Sequence, residues 1–224
     1  MQEVFYRLYA SSPEALPGAP SLKIRSFLLR RDSGNLLVYG TGVPADDVRE
    51  IGDLGGVSRH YLNHHHEAAF VDGRLARTLG APLFCHEDDS RSVAETLRVA
   101  GTFSERHKLD GDFEVIPTPG HTAGATAYLW DTGEHRFLFT GDTVYLRDGE
   151  WVAAVLPTSD KESYIESLKL IRRLDFDVLV PWLASADRSH HVFTDKADTE
   201  RRIDAILDRV QPRRRPVDPR PVRG

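Results

Sequence analysis

Three short apolar stretches of this chain end in residues that can bind a metal ion. The stretch of residues 57–62 is followed by His64 and His66. Two later strand-like runs end in His121 and Asp142. Side chains at the ends of neighbouring strands can meet at one rigidly held point. Because three imidazoles and a carboxylate suit a divalent cation with open coordination positions, the pattern predicts a sheet-based fold with a metal site at its strand ends.

The turns that carry these residues resemble the metal-binding motifs of the metallo-β-lactamase superfamily. That family has an H-x-H-x-D-H loop after a buried strand, then a P-G-H-[ST] turn and a T-G-D turn. His64 and His66 match the first half of the loop, residues 119–122 match the second motif, and residues 140–142 match the third. The resemblance extends over residues 21–183. It implies an α/β (α+β) fold, a four-layer αββα sandwich with the site at one edge of its two sheets.

Three positions of the family pattern carry aliphatic residues in this chain. Ala68 and Ala69 occupy the places of the aspartate and the final histidine of the loop. Leu183 stands where a later P-G-H-G turn supplies the last ligand of the family. In the family these positions and Asp142 hold a second ion, and alkyl groups cannot coordinate a cation. The resemblance therefore implies a single ion, held by the three histidines with Asp142 as a further metal ligand or close neighbour.

The chemistry of three histidines favours a metal-dependent hydrolase. Three neutral imidazoles and a water molecule form a tetrahedral zinc site, in which the pKa of the water falls to about 7. Asp142 is the candidate catalytic residue, since it could orient that water or accept its proton. Phosphodiester hydrolysis commonly uses two ions. We therefore expect one zinc ion and a small ester, thioester or lactone as substrate.

Two other functions remain open from the sequence. His64, His121 and Asp142 form the two-histidine, one-carboxylate set of non-haem Fe(II) oxygenases. The persulfide dioxygenases, a branch of the same superfamily, take their iron ligands from these three positions, which makes Fe(II) the alternative cofactor. The aliphatic residues at family ligand positions also allow a non-catalytic binding module of the same fold.

Four further residues are candidates for lining the pocket. Glu67 lies one residue out of register with the family aspartate, so it is either an acid or base at the site or a solvated residue that begins a helix. His86 ends a strand that can point toward the same edge, and His190 follows the altered loop and could replace the missing ligand. Trp182 stands where the family has glycine, and it would narrow the pocket or fill the place of the second ion.

Composition and charge limit the possible partners. A chain of 224 residues with 40% hydrophobic side chains can form one sizeable core, which predicts a single domain over residues 1–210. The net charge of −5 argues against nucleic-acid binding. Without a leader or a membrane-length apolar stretch, we expect a cytoplasmic protein with a small-molecule substrate and no membrane partner. Five arginines and four prolines in residues 211–224 predict a disordered tail. Nothing in the sequence specifies an oligomeric state.

Hydrophobic spacing and turn residues predict alternating strands and helices without repeats. Two capping-box patterns, at residues 92–95 and 159–162, predict the starts of helices. The remaining predicted elements are strands at 4–9, 22–30, 36–39, 113–117, 126–130 and 137–140, and helices at 44–51, 68–79 and 195–210.

Overall fold

The computed structural model describes residues 1–71 and 78–211. The predicted tail beyond residue 211 and residues 72–77 of the predicted helix at residues 68–79 lie outside the described residues. The helices are α1 (Ala45–Asp53), a 3₁₀-helix (His65–Ala69), α2 (Glu87–Val93), α3 (Lys161–Arg173) and α4 (Lys196–Val210). The strands are β1 (Gln2–Phe5), β2 (Leu8–Ala10), β3 (Glu14–Leu16), β4 (Ala19–Ile24), β5 (Phe27–Leu29), β6 (Leu36–Val38), β7 (Arg59–Tyr61), β8 (Leu83–His86), β9 (Val99–Phe103), β10 (His107–Leu109), β11 (Phe113–Pro117), β12 (Thr126–Asp131), β13 (Arg136–Gly141), β14 (Tyr145–Arg147), β15 (Glu150–Val152), β16 (Val178–Pro181), β17 (Leu183–Ser185) and β18 (Val192–Phe193).

The strands form three hydrogen-bonded sheets. The first sheet has the order β1-β2-β5-β6-β7-β8-β9, and its strands from β6 to β9 are parallel. The second sheet has the order β10-β11-β12-β13-β16-β18, and the third has the order β15-β14-β17-β4-β3. Trp182 alone separates β16 from β17, so the chain passes directly from the second sheet to the third.

Alternate side chains of the central strands face opposite sides of each sheet. In β13, Phe137 and Phe139 belong to the core between the sheets, while Leu138 belongs to the cluster on the outer face. β5, β6, β11, β12 and β16 show the same alternation between apolar clusters. Since side chains in a strand alternate with a period of two, a strand with helices over its outer face needs apolar residues at every position.

Helices cover both outer faces and complete the sandwich. Ile51 of α1 and Val93 of α2 pack on the outer face of the first sheet. Leu168 of α3 and Ile203 of α4 pack on the outer face of the second sheet. The second and third sheets contribute to the same inner and outer apolar clusters and form one layer. The layers are therefore helices, sheet, sheet and helices, which confirms the predicted αββα fold. No helix in the described part of the chain is long and apolar enough to cross a membrane.

Two predicted strands are wrong as continuous elements. The predicted strand at residues 4–9 is a hairpin of β1 and β2, because Arg7 at its turn has a φ of 70°. The predicted strand at residues 22–30 breaks after Ile24, and Phe27 begins a strand of a different sheet. Apolar spacing alone does not show either reversal, since the residues on both sides of each break are buried or partly buried.

The helix starts depend on which side chain caps them. The predicted start at Ser92 is wrong, because α2 begins five residues earlier, where Nδ1 of His86 accepts the Asp88 backbone N–H. The cap of α3 is Asp160 and not Ser159, since the Asp160 carboxylate accepts the first free N–H groups of the helix. The predicted start of the last helix is confirmed, with Asp195 as its cap.

The buried His60 of β7 makes the fold sensitive to acid. Its Nε2–H donates to the Tyr39 carbonyl at 2.9 Å, and burial lowers the pKa of His60 to about 4. In the unfolded chain the His60 imidazole becomes protonated near pH 6.5, whereas in the folded protein it stays neutral until about pH 4. The stability that comes from burying neutral His60 is therefore complete above pH 6.5 and decreases as the pH drops toward 4. When the pH falls from 7 to 4.5, the free energy of unfolding should decrease in both proteins. We expect the decrease in the His60→Asn variant to be smaller than that of the parent by about 2 to 3 kcal/mol. Urea unfolding at both pH values measures this difference, and equal losses would contradict it.

Candidate metal centre

Three histidines lie together at one end of the sandwich. The ligand nitrogens of His64, His66 and His121 all lie within 4.8 Å of one another. Nδ1 of His66 is 3.2 Å from Nε2 of His121, and the His64 ring centroid lies 4.8 Å from that of His121. His64 and His121 are buried and His66 is half-buried. Among the described residues, this is the one group of at least three ligating side chains close enough to hold a metal ion.

Strand ends bring these residues together. His64 and His66 follow β7 of the first sheet. His121 follows β11 of the second sheet, and Asp142 comes directly after β13. The cluster thus lies where the two sheets present the ends of their strands, at the edge that the sequence predicts.

The backbone and side chains around the cluster fix the histidine tautomers. Nδ1 of His64 lies 3.0 Å from Oδ1 of Asn63 and 3.1 Å from Oε1 of Glu67. Nδ1 of His121 lies 2.6 Å from the Ala154 carbonyl. These acceptors keep the ring proton on Nδ1 and leave a lone pair on Nε2. Nε2 of His64 is buried without a hydrogen-bond partner among the described residues, which fits a nitrogen that ligates a cation.

Burial keeps the three imidazoles in the form that binds metals. Desolvation lowers the pKa of His64 well below its usual value, and the neighbouring histidines lower it further. Burial also lowers the pKa of His66 to about 4 and lowers that of His121. Since neutral imidazole is the metal ligand, the cluster is ready to bind a cation at neutral pH without releasing protons from its rings.

Asp142 adds a carboxylate to the three imidazoles. Its Oδ2 lies 3.7 Å from Nε2 of His64 and 3.7 Å from Nε2 of His121. Its Oδ1 is buried and has no hydrogen-bond partner within the described residues. Burial raises the pKa of Asp142 to about 7. An unpartnered carboxylate here fits a role toward a cation or a water molecule.

Two buried polar residues that the sequence analysis does not single out hold the loops in place. Asp89 accepts the His65 backbone N–H at 2.9 Å and the Thr122 hydroxyl at 2.8 Å, which joins the two histidine loops. The Asn63 carbonyl accepts the Thr126 backbone N–H at 2.9 Å. The one signal for Asp89 is its position in an acidic run at the start of α2. That acidic run is equally typical of a solvent-exposed helix N-terminus.

Gly120 allows the turn before His121 to pass against α3. It has a φ of +135°, and a Cβ there would lie 2.4 Å from the Cα of Tyr164. We expect Gly120→Ala to lower the free energy of unfolding by more than about 2 kcal/mol, because the clash is with backbone. Gly133→Ala is the matched control, with a φ of +81° and open space around it, and should cost about 1 kcal/mol. Equal losses in urea unfolding would contradict the close approach.

Two of the predicted pocket residues contact the cluster. Glu67 is fully buried against His64, so the alternative of a solvated residue is wrong. The 3₁₀-helix turns its carboxylate inward, where the backbone N–H groups of Gly40 and Asn63 compensate its burial. Trp182 packs edge-on against His64, with ring centroids 5.4 Å apart, and its Nε1–H donates to the Gly40 carbonyl.

The structure does not bring the other two pocket candidates to the cluster. Nδ1 of His86 accepts the Asp88 N–H, and its Nε2 lies 3.3 Å from the Ser104 carbonyl. Nε2 of His190 lies 2.9 Å from the Lys23 carbonyl, and His190 lines a separate cleft. The interpretation of His190 as a replacement ligand is therefore wrong, because its loop places it against β4.

The aliphatic positions of the family pattern lie in packed or exposed places. Ala68 belongs to the apolar cluster on the outer face of the first sheet, and Ala69 is exposed. Leu183 is buried in the core between the sheets, where β17 pairs it with Ile24. None of the three offers a ligand atom to the cluster.

A sizeable cleft of about 580 Å³ lies at the opposite end of the central strands. Trp130 and Phe137 form part of its wall, at the ends of β12 and β13 that are far from the histidines. Two of its charged residues, Arg31 and Asp112, pair with each other. No described residue that lines this cleft has a buried side-chain N or O atom without a hydrogen-bond partner, whereas His64 and Asp142 in the histidine cluster each have one.

Comparison with known proteins identifies the family. The model of the metallo-beta-lactamase superfamily matches residues 45–181, which is more than half of the chain and includes the three histidines and Asp142. The chain belongs to the metallo-β-lactamase superfamily. A hydroxyacylglutathione hydrolase from Erwinia tasmaniensis is 31% identical to it over 120 residues. That match covers 52% of this superfamily member and 45% of the hydrolase, so it spans less than half of the relative.

Solved structures of the superfamily share the fold at low sequence identity. The DIM-1 metallo-beta-lactamase is 16% identical with a TM-score of 0.71, and 94% of this chain and 96% of that chain are covered. ETHE1 from Myxococcus xanthus is 19% identical with a TM-score of 0.61 and coverage of 83% and 80%. The archaeal protein ST1585 from Sulfolobus tokodaii is 19% identical with a TM-score of 0.63 and coverage of 89% and 86%. These similarities establish the fold alone.

Proposed function

We propose that this protein is a metal-dependent hydrolase with one zinc ion, which acts on a small ester, thioester or lactone. The observation that carries the proposal is the convergence of three neutral imidazoles beside the unpartnered carboxylate of Asp142. The hydrolase from Erwinia tasmaniensis supports the same reaction class. The proposed partner is the small-molecule substrate, and neither a nucleic acid nor a membrane is proposed.

The residues around the proposed ion have different roles. A zinc ion bound by three histidines supplies an activated water molecule and polarises a carbonyl group. His64 and His121 are held in their ligating tautomers by Glu67 and the Ala154 carbonyl. Asp142 is the group that orients the water or accepts its proton, because its Oδ1 is buried and has no partner among the described residues.

We propose that the second metal site of the family is absent. Ala68, Ala69 and Leu183 carry no ligand atoms, and Ala68 and Leu183 are packed into apolar clusters. Trp182 occupies space beside His64, and its ring also packs on Phe70. Apolar surface in this position favours a single ion and disfavours substrates that need two.

A mononuclear Fe(II) oxygenase is the second candidate. The observation in its favour is that Oδ2 of Asp142 lies at the same distance, 3.7 Å, from Nε2 of His64 and Nε2 of His121. Two imidazoles and a carboxylate that face one point suit iron as well as zinc. His66 favours zinc, since it adds a third imidazole at 3.2 Å from His121.

Activity measurements on defined metal forms test the proposal. The chelator-treated protein is reloaded with zinc, or with Fe(II) under anaerobic conditions, and assayed on a panel of small esters, thioesters and lactones. We expect hydrolysis in the zinc form and none in the chelated form. Oxygen consumption with a persulfide by the iron form alone would favour the second candidate. Inactivity of every form would favour a non-catalytic binding module.

A further inference from the structure

We infer that Glu67 is a positioning residue for His64, whose Nδ1–H it accepts from behind the ring. The inference rests on the proposed function, because it concerns the affinity of the three histidines for a metal ion. Glu67 itself touches neither the ion position nor a substrate. It acts through the His64 imidazole.

The contacts of Glu67 point to this role. The side chain is 0% exposed. Its Oε1 accepts the His64 Nδ1–H at 3.1 Å and the Asn63 backbone N–H at 3.0 Å. Its Oε2 accepts the Gly40 backbone N–H at 2.6 Å. A buried carboxylate is costly unless hydrogen bonds compensate it, and here the compensating donors include a candidate metal ligand.

The orientation of the His64 ring explains why its hydrogen bond to Glu67 affects metal binding. With the proton fixed on Nδ1 by Glu67 and by Oδ1 of Asn63, the Nε2 lone pair of His64 faces the cavity, where Oδ2 of Asp142 lies 3.7 Å away. A carboxylate behind a ligating histidine fixes its tautomer and orientation and raises the basicity of the other nitrogen. Loss of such a partner typically weakens metal binding about 10- to 100-fold.

One residue, Gly40, connects Glu67 to Trp182, which stands where the family has glycine. The N–H of Gly40 donates to Glu67, and its carbonyl accepts Nε1–H of Trp182 at 3.0 Å. A Cβ at Gly40 would lie 2.5 Å from Cγ2 of Val71, so this glycine is tightly enclosed. Glu67 and Trp182 are therefore both hydrogen-bonded to Gly40 behind His64, on the protein side of the cluster.

Zinc affinity of the Glu67→Gln variant tests the inference. The dissociation constant is measured on the full chain by competition with a chromophoric chelator, together with the visible spectrum of the cobalt-substituted protein. We expect zinc binding to weaken about 10- to 100-fold, with a changed cobalt spectrum. Glu14→Gln is the matched control, because Oε2 of Glu14 accepts the Gly42 backbone N–H at 2.7 Å without contacting a histidine. Its affinity should stay within about threefold of the parent, since a lost surface hydrogen bond is worth roughly 0.5 kcal/mol.

The folded Glu67→Gln variant separates positioning from a merely structural role. A merely structural role would lower the free energy of unfolding but leave the zinc affinity and the cobalt spectrum of the folded variant at the parent values. Parent affinity and spectrum in this variant would overturn the inference and leave the zinc site intact. Failure of the parent itself to bind zinc would overturn the proposed function and the inference together. If Glu67→Gln does not fold, the zinc affinity and the cobalt spectrum are measured on Glu67→Asp, which keeps the carboxyl group but places it farther from His64.

Discussion

Replacing His121 with alanine is expected to remove zinc binding and hydrolysis together. His121 supplies the ligand nitrogen that links the two sheets across the cluster, 3.2 Å from Nδ1 of His66. Loss of a residue that is hydrogen-bonded to a metal ligand weakens metal binding by up to about 100-fold. Since His121 is itself a ligand, we expect the zinc dissociation constant to rise by more than that. Hydrolysis should fall to the level of the chelated protein. Chelator competition and steady-state kinetics measure the two effects.

The control for this variant is His107→Ala. His107 is an exposed histidine of β10, so it shares the chemistry of His121 without its position. It should leave zinc affinity and turnover unchanged. Circular dichroism and urea unfolding establish that both variants fold. Retained stoichiometric zinc in a folded His121→Ala protein would show that the ion lies elsewhere.

Asp142→Asn is expected to separate turnover from metal binding. Asparagine keeps the size of the side chain but cannot accept a proton, so hydrolysis should fall by about 100-fold or more. The three histidines should still hold one zinc ion. An iron site made of His64, His121 and Asp142 would instead lose its metal together with its carboxylate ligand. Metal content and the turnover number of the same preparation give both results.

The control for this substitution is Asp46→Asn at an exposed position of α1. It should change neither metal content nor turnover. Unchanged hydrolysis in a zinc-loaded Asp142→Asn protein would contradict the role proposed for this carboxylate. The proton acceptor would then have to come from another group or from solvent.

The sequence predicts the strands from local patterns, and the resemblance of its motifs to the metallo-β-lactamase superfamily implies the αββα fold and the convergence of the histidines. The strand at residues 113–117 is confirmed at both ends. The Gly-containing turn after it brings His121, and the end of β13 at Gly141 brings Asp142, to the edge where β7 ends. Alternating or continuous apolar residues read as buried strands. Which strand ends meet is what the resemblance to the superfamily implies, since the motifs occur in the family's order.

The support of the cluster depends on contacts that are remote in sequence and leave no local signal. Glu67 is fully buried because Gly40, 27 residues away, donates a backbone N–H to it. Asp89 joins two loops that are separated by more than fifty residues. His190 occupies another place because β4 runs beneath its loop. Each of these outcomes is set by tertiary packing, which residue spacing does not encode.

Elemental analysis of the untagged protein, purified without chelator, tests the central claim most directly. The three-histidine cluster with its buried, unpartnered nitrogen predicts one equivalent of zinc per chain. The ion should be removed by a strong chelator and restored by added zinc. A protein that contains no metal, and that gains none when zinc or iron is added, would contradict the account.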